Sequence, residues 1–403
     1  MRLVYKAITK KGKRISGEAE AKDQFDLARQ LKAGGKILVF AEEKKNTGLD
    51  FESLNLILSR VSIQEKIVFA RNLSVMAKAG LSLYRSIGIL ERQTGNRKFK
   101  KIIHNLGEDI KKGSSLNEAM KKYPKIFSSL FVAMVKAGEE SGSLTESLRT
   151  VSDQLEKSYI IRKKIKGALV YPAVIITAMF IVGILMLTFV VPTLTATFTE
   201  LGVELPVTTR VVISVSNFLS GNIFLSFGII LLFVFSLYLF LKTNTGKRTF
   251  HFLVLRIPII GNLVKKTNSA RTARTLSSLI KSGVPIVEAL GITEEVLQNS
   301  YYKEVVSNAK KKIQKGTPLF ESFSKAEKLY PVLVGEMMEV GEETGKLTDM
   351  LLEVALFYEG EVESATKNMT AIIEPFLMII VGVVVGFFAI SMITPMYSML
   401  DSI

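Results

Sequence analysis

Side chains suited to chemistry are sparse in this chain. His104 and His251 are the two histidines among 403 residues, and there is no cysteine. Without cysteine there is no disulfide framework, no thiolate zinc site and no Cys-ligated iron–sulfur cluster. Neither imidazole has a neighbour at metal-ligand spacing, so both are read as surface or packing residues. No HExxH or GxSxG string occurs. Gly246-Lys247-Arg248-Thr249 ends like a phosphate-binding loop but lacks the upstream glycine that would let the backbone cradle a nucleotide. The sequence therefore offers no catalytic residue, no metal ligand set and no cofactor site, and an enzyme is not expected.

The polar features that remain suit binding. Gly138-Glu139-Glu140-x-Gly142 and Gly341-Glu342-Glu343-x-Gly345 present paired acids in two similar turns. One reading is a docking loop for a partner. The other is that the glycines make a tight interhelical turn and the glutamates lie near the next helix's start. The helix dipole favours negative charge there, which accounts for the residue types without a partner. Glu374 directly abuts an apolar run. An acid inside a membrane is a functional hypothesis by default, but at the inner end beside Pro375 it reaches headgroups or nearby backbone. Gly382 and Gly386 form a GxxxG string, which permits close helix contact.

The elements that must position these residues are written twice. Segment 70–91 (ARNLSVMAKAGLSLYRSIGILE) aligns with 273–294 (ARTLSSLIKSGVPIVEALGITE) at an offset of 203. The offset holds for Gly113-x-x-Leu116-x-Glu118 with Gly316-x-x-Leu319-x-Glu321, for the two acidic turns, for Tyr171-Pro172 with Glu374-Pro375, and for Pro192 with Pro395. More than 120 residues thus repeat without a gap. Each pair of prolines is 20 residues apart, about 30 Å of helix and one hydrocarbon thickness. Proline is tolerated at a helix start and stops a helix at its end, so Pro172 and Pro375 are expected to begin spans that Pro192 and Pro395 close.

Charge and apolarity are segregated. The chain is 48% hydrophobic yet carries +16. Ala168–Val191, Ile223–Leu241 and Pro375–Thr394 are long enough to cross a bilayer. If all three cross, segments 1–167 and 242–370 share a side that holds 52 of the 53 Lys and Arg and 33 of the 37 Asp and Glu, a net +19. Basic segments stay cytoplasmic, so the N-terminus is expected inside and the C-terminus outside. The first thirteen residues have no apolar signal-peptide core. No concentrated basic run is interleaved with aromatics, so anionic lipid explains the charge more simply than nucleic acid.

The expected fold is mainly α: a polytopic membrane protein with two tandem six-helix cytoplasmic repeats, three transmembrane helices and a small α+β N-terminal unit. The chain reads as a ββαβ unit at 1–45, a linker at 46–64, a first repeat at 65–167 and a first span at 168–191. An external loop (192–217), a second span (218–241) and a connector (242–267) follow. The second repeat (268–370), third span (371–394) and external tail (395–403) complete the chain. Glycines 80, 113 and 138, with 283, 316 and 341, are expected to stop helices.

These motifs together resemble the type II secretion system protein F family, over nearly the whole chain. The duplicated G-x-x-L-x-E and GE-x-x-G-x-L strings and the Tyr171-Pro172 and Glu374-Pro375 pairs carry the likeness. Arg274-Thr275-Leu276 with Ser282-Gly283-Val284-Pro285 is similar to the family's second repeat, and Gly202, Leu205-Pro206 and Thr209 to its outer loop. Asn72 departs from the glutamine usual there. The resemblance implies a non-enzymatic, homo-oligomeric platform in the bacterial inner membrane. Its partners would be a hexameric cytoplasmic ATPase, pilins or pseudopilins, other inner-membrane assembly proteins and the lipid bilayer. An oligomeric transporter subunit and the membrane scaffold of a DNA-uptake pseudopilus are the alternatives.

Overall fold

A computed structural model describes residues 2–9, 14–21, 23–43, 60–200, 206–221 and 223–400. The KKGK turn, most of the 46–64 linker, Gly202, Leu205 and the last three residues lie outside these. The chain divides into two units, one ending at Arg60 and one beginning at Val61.

In the first unit, β1 (Arg2–Thr9) lies between β2 (Arg14–Glu20) and β3 (Lys36–Glu43), antiparallel to both. Helix α1 (Gln24–Ala33) begins where the Asp23 carboxylate accepts from the Asp26 N–H at 2.7 Å. Its Leu27 and Leu31, four apart and hence on one face, bury against Leu3 and Ala7 of β1.

The second unit is helical. Its first repeat comprises α2 (Ile63–Lys78), α3 (Leu83–Gln93), α4 (Arg97–Lys111), α5 (Leu116–Lys121), α6 (Ser129–Glu140) and α7 (Leu144–Leu185). A π-helical turn at Met186–Val190 leads into α8 (Val191–Glu200), followed by α9 (Val207–Gly221), α10 (Ile223–Lys242) and α11 (Asn244–Arg256). The second repeat comprises α12 (Pro258–Lys281), α13 (Ile286–Val296), α14 (Ser300–Ile313), α15 (Phe320–Ser324), α16 (Val332–Glu343) and α17 (Leu347–Leu400).

Local chemistry explains the breaks. Ser62 with Glu65, and Ser115 with Glu118, form capping boxes at α2 and α5. Gly80, Gly113, Gly283 and Gly316 take φ of 80, 89, 88 and 82°, the left-handed region that ends helices. Gly138 and Gly341 do not stop helices as expected. They lie inside α6 and α16, and the left-handed residues are Gly142 and Gly345, at φ 70 and 69°.

The two repeats bury side chains in one continuous core. Equivalent positions do equivalent jobs with different atoms. Phe69, Phe99 and Phe127 pack as an aromatic cluster in the first repeat. Their counterparts 203 residues on are Thr272, Tyr302 and Tyr330. The Tyr330 and Thr272 hydroxyls lie 2.9 Å apart, and the Tyr302 hydroxyl donates to the Leu329 carbonyl at 2.8 Å. Burial, which disfavours phenolate, pushes both tyrosines well above their ordinary range. The three phenylalanines need no such bonds, because they have no hydroxyls to satisfy.

The long helices differ from expectation at their prolines. Pro172 sits inside α7 and Pro375 inside α17, so each repeat runs into its apolar segment as one uninterrupted helix. Pro192 and Pro395 do not terminate helices either. At Pro192 a reason is visible. The ring would meet the Thr188 carbonyl one turn back, and the π turn at 186–190 loosens the ladder there. The segment expected as an external loop, 192–217, is helical over α8 and most of α9.

Among the described residues two helices are long and apolar enough to cross a membrane, Leu144–Thr197 and Leu347–Thr394. In their most apolar 18 residues only 6% and 11% are buried by the rest of the chain, so these are not core helices. The connector α10 contributes a shorter apolar stretch, Leu231–Lys242.

Candidate functional site: the paired acidic turns

The acidic turns close the α6–α7 and α16–α17 corners. A Cβ on Gly138 would stand 2.5 Å from Ser147 Oγ and 3.1 Å from Leu144 Cα, and one on Gly341 would stand 2.8 Å from Leu347 Cα. The glycines are there because the first turn of the long helix passes directly over them. Left-handed Gly142 and Gly345 then reverse the chain.

The two glutamates of each pair do different things. Glu139 reaches back to the start of α5, accepting from the backbone N–H groups of Leu116 at 2.6 Å and Asn117 at 2.9 Å, and from Asn117 Nδ2 at 2.6 Å. Glu342 makes the equivalent reach, accepting from the N–H groups of Leu319 at 2.8 Å and Phe320 at 3.0 Å. Each thus satisfies donors that a helix start leaves without a partner, and places negative charge at the positive end of its dipole. The helix served is the one before the turn, not the following helix that the sequence suggested. The signal lay in the co-duplication: G-x-x-L-x-E and GE-x-x-G recur together, with Leu116 and Glu139 as far apart as Leu319 and Glu342, 23 residues.

Glu140 and Glu343 are exposed. Glu140 lies 3.8 Å from Lys136, one turn back. The surface available for docking is therefore the second acid of each pair, with Gly142 and Gly345 beside it.

Behind the turns, each long helix is strapped to the first helix of its repeat. Ser74 Oγ donates to the Thr145 carbonyl at 2.8 Å, and Ser277 Oγ to Thr348 at 2.9 Å. Arg71 pairs with Glu156, and Arg274 with Glu359. The first pair is about half exposed, at 49% and 42%, whereas the second is 15% and 13% exposed and bidentate at 2.8 and 2.7 Å. Solvent screening leaves the first weak, so the second is the structural one. Between the repeats, Gln154 donates to Thr275 Oγ1 at 3.2 Å and accepts from Ser278 Oγ at 3.3 Å, all buried. Arg271 lies beside this bridge. Burial, with the nearby Arg162, lowers its guanidinium pKa to about 10.

His251 is more than packing. Its Nδ1 accepts from the Ser300 N–H at 3.2 Å and lies 2.8 Å from Ser300 Oγ, at the first residue of α14. A backbone N–H can only donate, so the ring must be neutral at Nδ1. Burial, then Lys247 and Lys303, hold its pKa below the ordinary histidine value. His104 is exposed and lies 3.3 Å from Glu91.

At the apolar ends, α9 seals the two long helices. Thr209 Oγ1 donates to the Ser391 carbonyl at 2.7 Å, and Ser216 Oγ to Leu187 at 2.5 Å. A cleft of about 500 Å³ runs between the long helices, lined by apolar side chains including Met179, Met186, Val385 and Phe388. A Cβ on Gly382 or Gly386 would meet nothing within 4 Å, so the GxxxG face packs on no helix among the described residues. Tyr171 is exposed, Pro172 buried, and Glu374 half-buried one residue before Pro375.

The family model described as type II secretion system (T2SS), protein F matches the chain twice, at residues 69–192 and 272–395. The two matches begin 203 residues apart and end 203 residues apart. The chain is similar to the type IV pilus assembly protein PilC of Thermus thermophilus, at 40% identity over 99% of this chain and 98% of that protein. It is 32% identical to PilC of Myxococcus xanthus, covering 99% and 95%. It is 30% identical to type II secretion system protein F of Xanthomonas campestris, covering 99% and 98%.

Proposed function

Because the chain belongs to the type II secretion system protein F family, we propose that it is an inner-membrane platform of a type IV pilus or type II secretion machine. In that role it couples a cytoplasmic assembly ATPase to the insertion of pilins or pseudopilins into a filament. The observation that carries this is near-full-length similarity to relatives named as pilus assembly proteins. The architecture supports it. Each repeat packs around the first half of a helix whose second half is apolar and bare, with no break between them. A displacement of the repeat is thereby carried into the membrane by one rigid element.

The proposed topology has three crossings, with α10 as the return, the N-terminus cytoplasmic and the C-terminus external. It follows the charge segregation. Glu140 and Glu343 are the proposed ATPase-facing acids, because Glu139 and Glu342 are occupied by helix caps. Tyr171, Pro172, Glu374 and Pro375 lie where the two long helices would enter the bilayer, and Pro192 and Pro395 where they would leave it. Gly382 and Gly386 are proposed as a helix-packing face between copies. The apolar cleft counts against a solute transporter, whose path needs polar groups at membrane depth.

The test is a chain carrying Glu140→Lys and Glu343→Lys, co-expressed with the neighbouring assembly ATPase and pilin precursors. Loss of ATPase co-purification and of surface filaments, with unfolding temperature unchanged, is expected. Normal filaments and undiminished recruitment would overturn the docking role, and filaments in the deletion strain would overturn the platform role.

A further inference from the structure

The two repeats carry matching hollows in which aligned arginines and glutamates exchange places. In the first repeat a hollow of about 640 Å³ opens over Gly88, between α3 and α4. In the second, one of about 380 Å³ opens over Gly291, between α13 and α14. Gly88 and Gly291 are the same position of the duplication, and Arg85, Glu91, Arg92 and Gly107 align with Glu288, Glu294, Glu295 and Lys310 of the second lining. Arg85 and Arg92 on α3 correspond to Glu288 and Glu295 on α13, and Glu108 on α4 corresponds to Lys311 on α14. Three aligned positions thus exchange sign. Arg85 and Arg92 are seven residues apart, two helical turns along one face, as are Glu288 and Glu295.

These charges are free to act outward. Arg85, Arg92, Glu288, Glu295 and Lys311 are exposed and Glu108 half-exposed. Among the described residues none of the six makes an ion pair or hydrogen bond through its side chain within the chain, whereas neighbouring Glu91 and Glu304 do. Glu294, Lys303 and Lys310 also line the second hollow, so its lysines stand on α14 and its acids on α13. In the first hollow Arg85 and Arg92 stand on α3 beside Glu91, which keeps its sign in Glu294, and Glu108 stands on α4 beside His104.

We propose that the α3–α4 face of the first repeat docks on the α13–α14 face of the second repeat of another copy of this chain. The occupant is a second copy because its own surface supplies the complement: two arginines for two glutamates, and a glutamate for a lysine. Height agrees as well. Both repeats feed their long helices at the same offset. In copies sharing one membrane, the two faces therefore meet at the same level. The contact is head-to-tail, with different patches on the two partners, so it extends to a ring or an open chain. Exposed pairs of this kind set register and partner choice more than affinity, and weaken with salt.

The cysteine-free background makes the test direct. Full-length chains carrying Arg85→Cys under one tag and Glu288→Cys under another are co-expressed in membranes and treated with a short bis-maleimide. Mixed-tag adducts are expected at least fivefold above those from Arg85→Cys with Arg85→Cys. Reversal by R85E/R92E should lower self-association in detergent, read by light scattering, at least fivefold at low salt, and adding E288R/E295R should restore it. Equal adducts for both cysteine pairings would overturn the proposal. An oligomer distribution unchanged by R85E/R92E would do the same, as would failure of the swap while the variants keep the parent unfolding temperature. Loss of a different partner, with self-association intact, would assign the hollows to that partner.

Discussion

A carboxylate that accepts two backbone N–H groups at a helix start gains charge-assisted hydrogen bonds and a favourable dipole, whereas one in solvent gains little. Glu139 and Glu342 are in the first position, and Glu140 and Glu343 in the second. Replacing Glu139 or Glu342 by alanine should cost about 1–2 kcal/mol of unfolding free energy, the usual worth of a lost cap. The same change at Glu140 or Glu343 should stay within about 0.5 kcal/mol. Denaturant unfolding of the detergent-solubilised chain measures both, and equal losses within each pair would contradict the division of labour. His251 gives a pH-dependent counterpart. Its folded pKa is depressed below the unfolded value of 6.5, so the unfolded chain takes up the proton first as pH falls. The stabilisation is fully present above about pH 6.5 and is lost as pH drops through the unfolded and then the folded pKa. Unfolding temperature should fall between pH 7.5 and 5, and His251→Gln should flatten that slope. An equal slope in the variant would show that other groups carry it.

Helix spacing, the capping serines and the left-handed glycines at 80, 113, 283 and 316 are local, and their elements were legible from the residues. Glycine and proline, however, are not always boundaries. Gly138 and Gly341 answer to a close crossing, a tertiary fact invisible along the chain. Pro172 and Pro375 are tolerated because a long helix already held at both ends does not break for one missing hydrogen bond. Likewise, the acids' reach to α5 and α15 spans a separation of 23 residues that only the fold closes. The crossing yields its own prediction. Gly138→Ala or Gly341→Ala puts a methyl inside contact distance of the next helix, and overpacking of that kind costs about 1–3 kcal/mol. Gly142→Ala costs through backbone strain instead, at about 1 kcal/mol. Relaxing the clash with Ser147→Gly should recover part of the Gly138→Ala loss and none of the Gly142→Ala loss. Full additivity in the two double variants would sink the close-crossing account.

At the scale of the whole molecule, the two repeats share one core and a buried Gln154–Thr275–Ser278 bridge, so they move as one body above two bare apolar helices. A unit that places equivalent ends of both helices alike needs a return between them, since α7 and α17 would otherwise enter from opposite sides. Between the two long helices, residues 223–242 are the longest apolar run of the sequence, and Lys242 ends it just before a basic connector. A crossing there puts Thr208 and Asn244, both exposed, on opposite faces of the membrane. In the cysteine-free chain, Thr208→Cys should react with a membrane-impermeant maleimide in intact spheroplasts. Asn244→Cys should react only after permeabilisation. If both react before permeabilisation, α10 does not cross, and the repeats then lie on different sides. Their shared core excludes that arrangement, so such a result would put the fold itself in question as well as the topology.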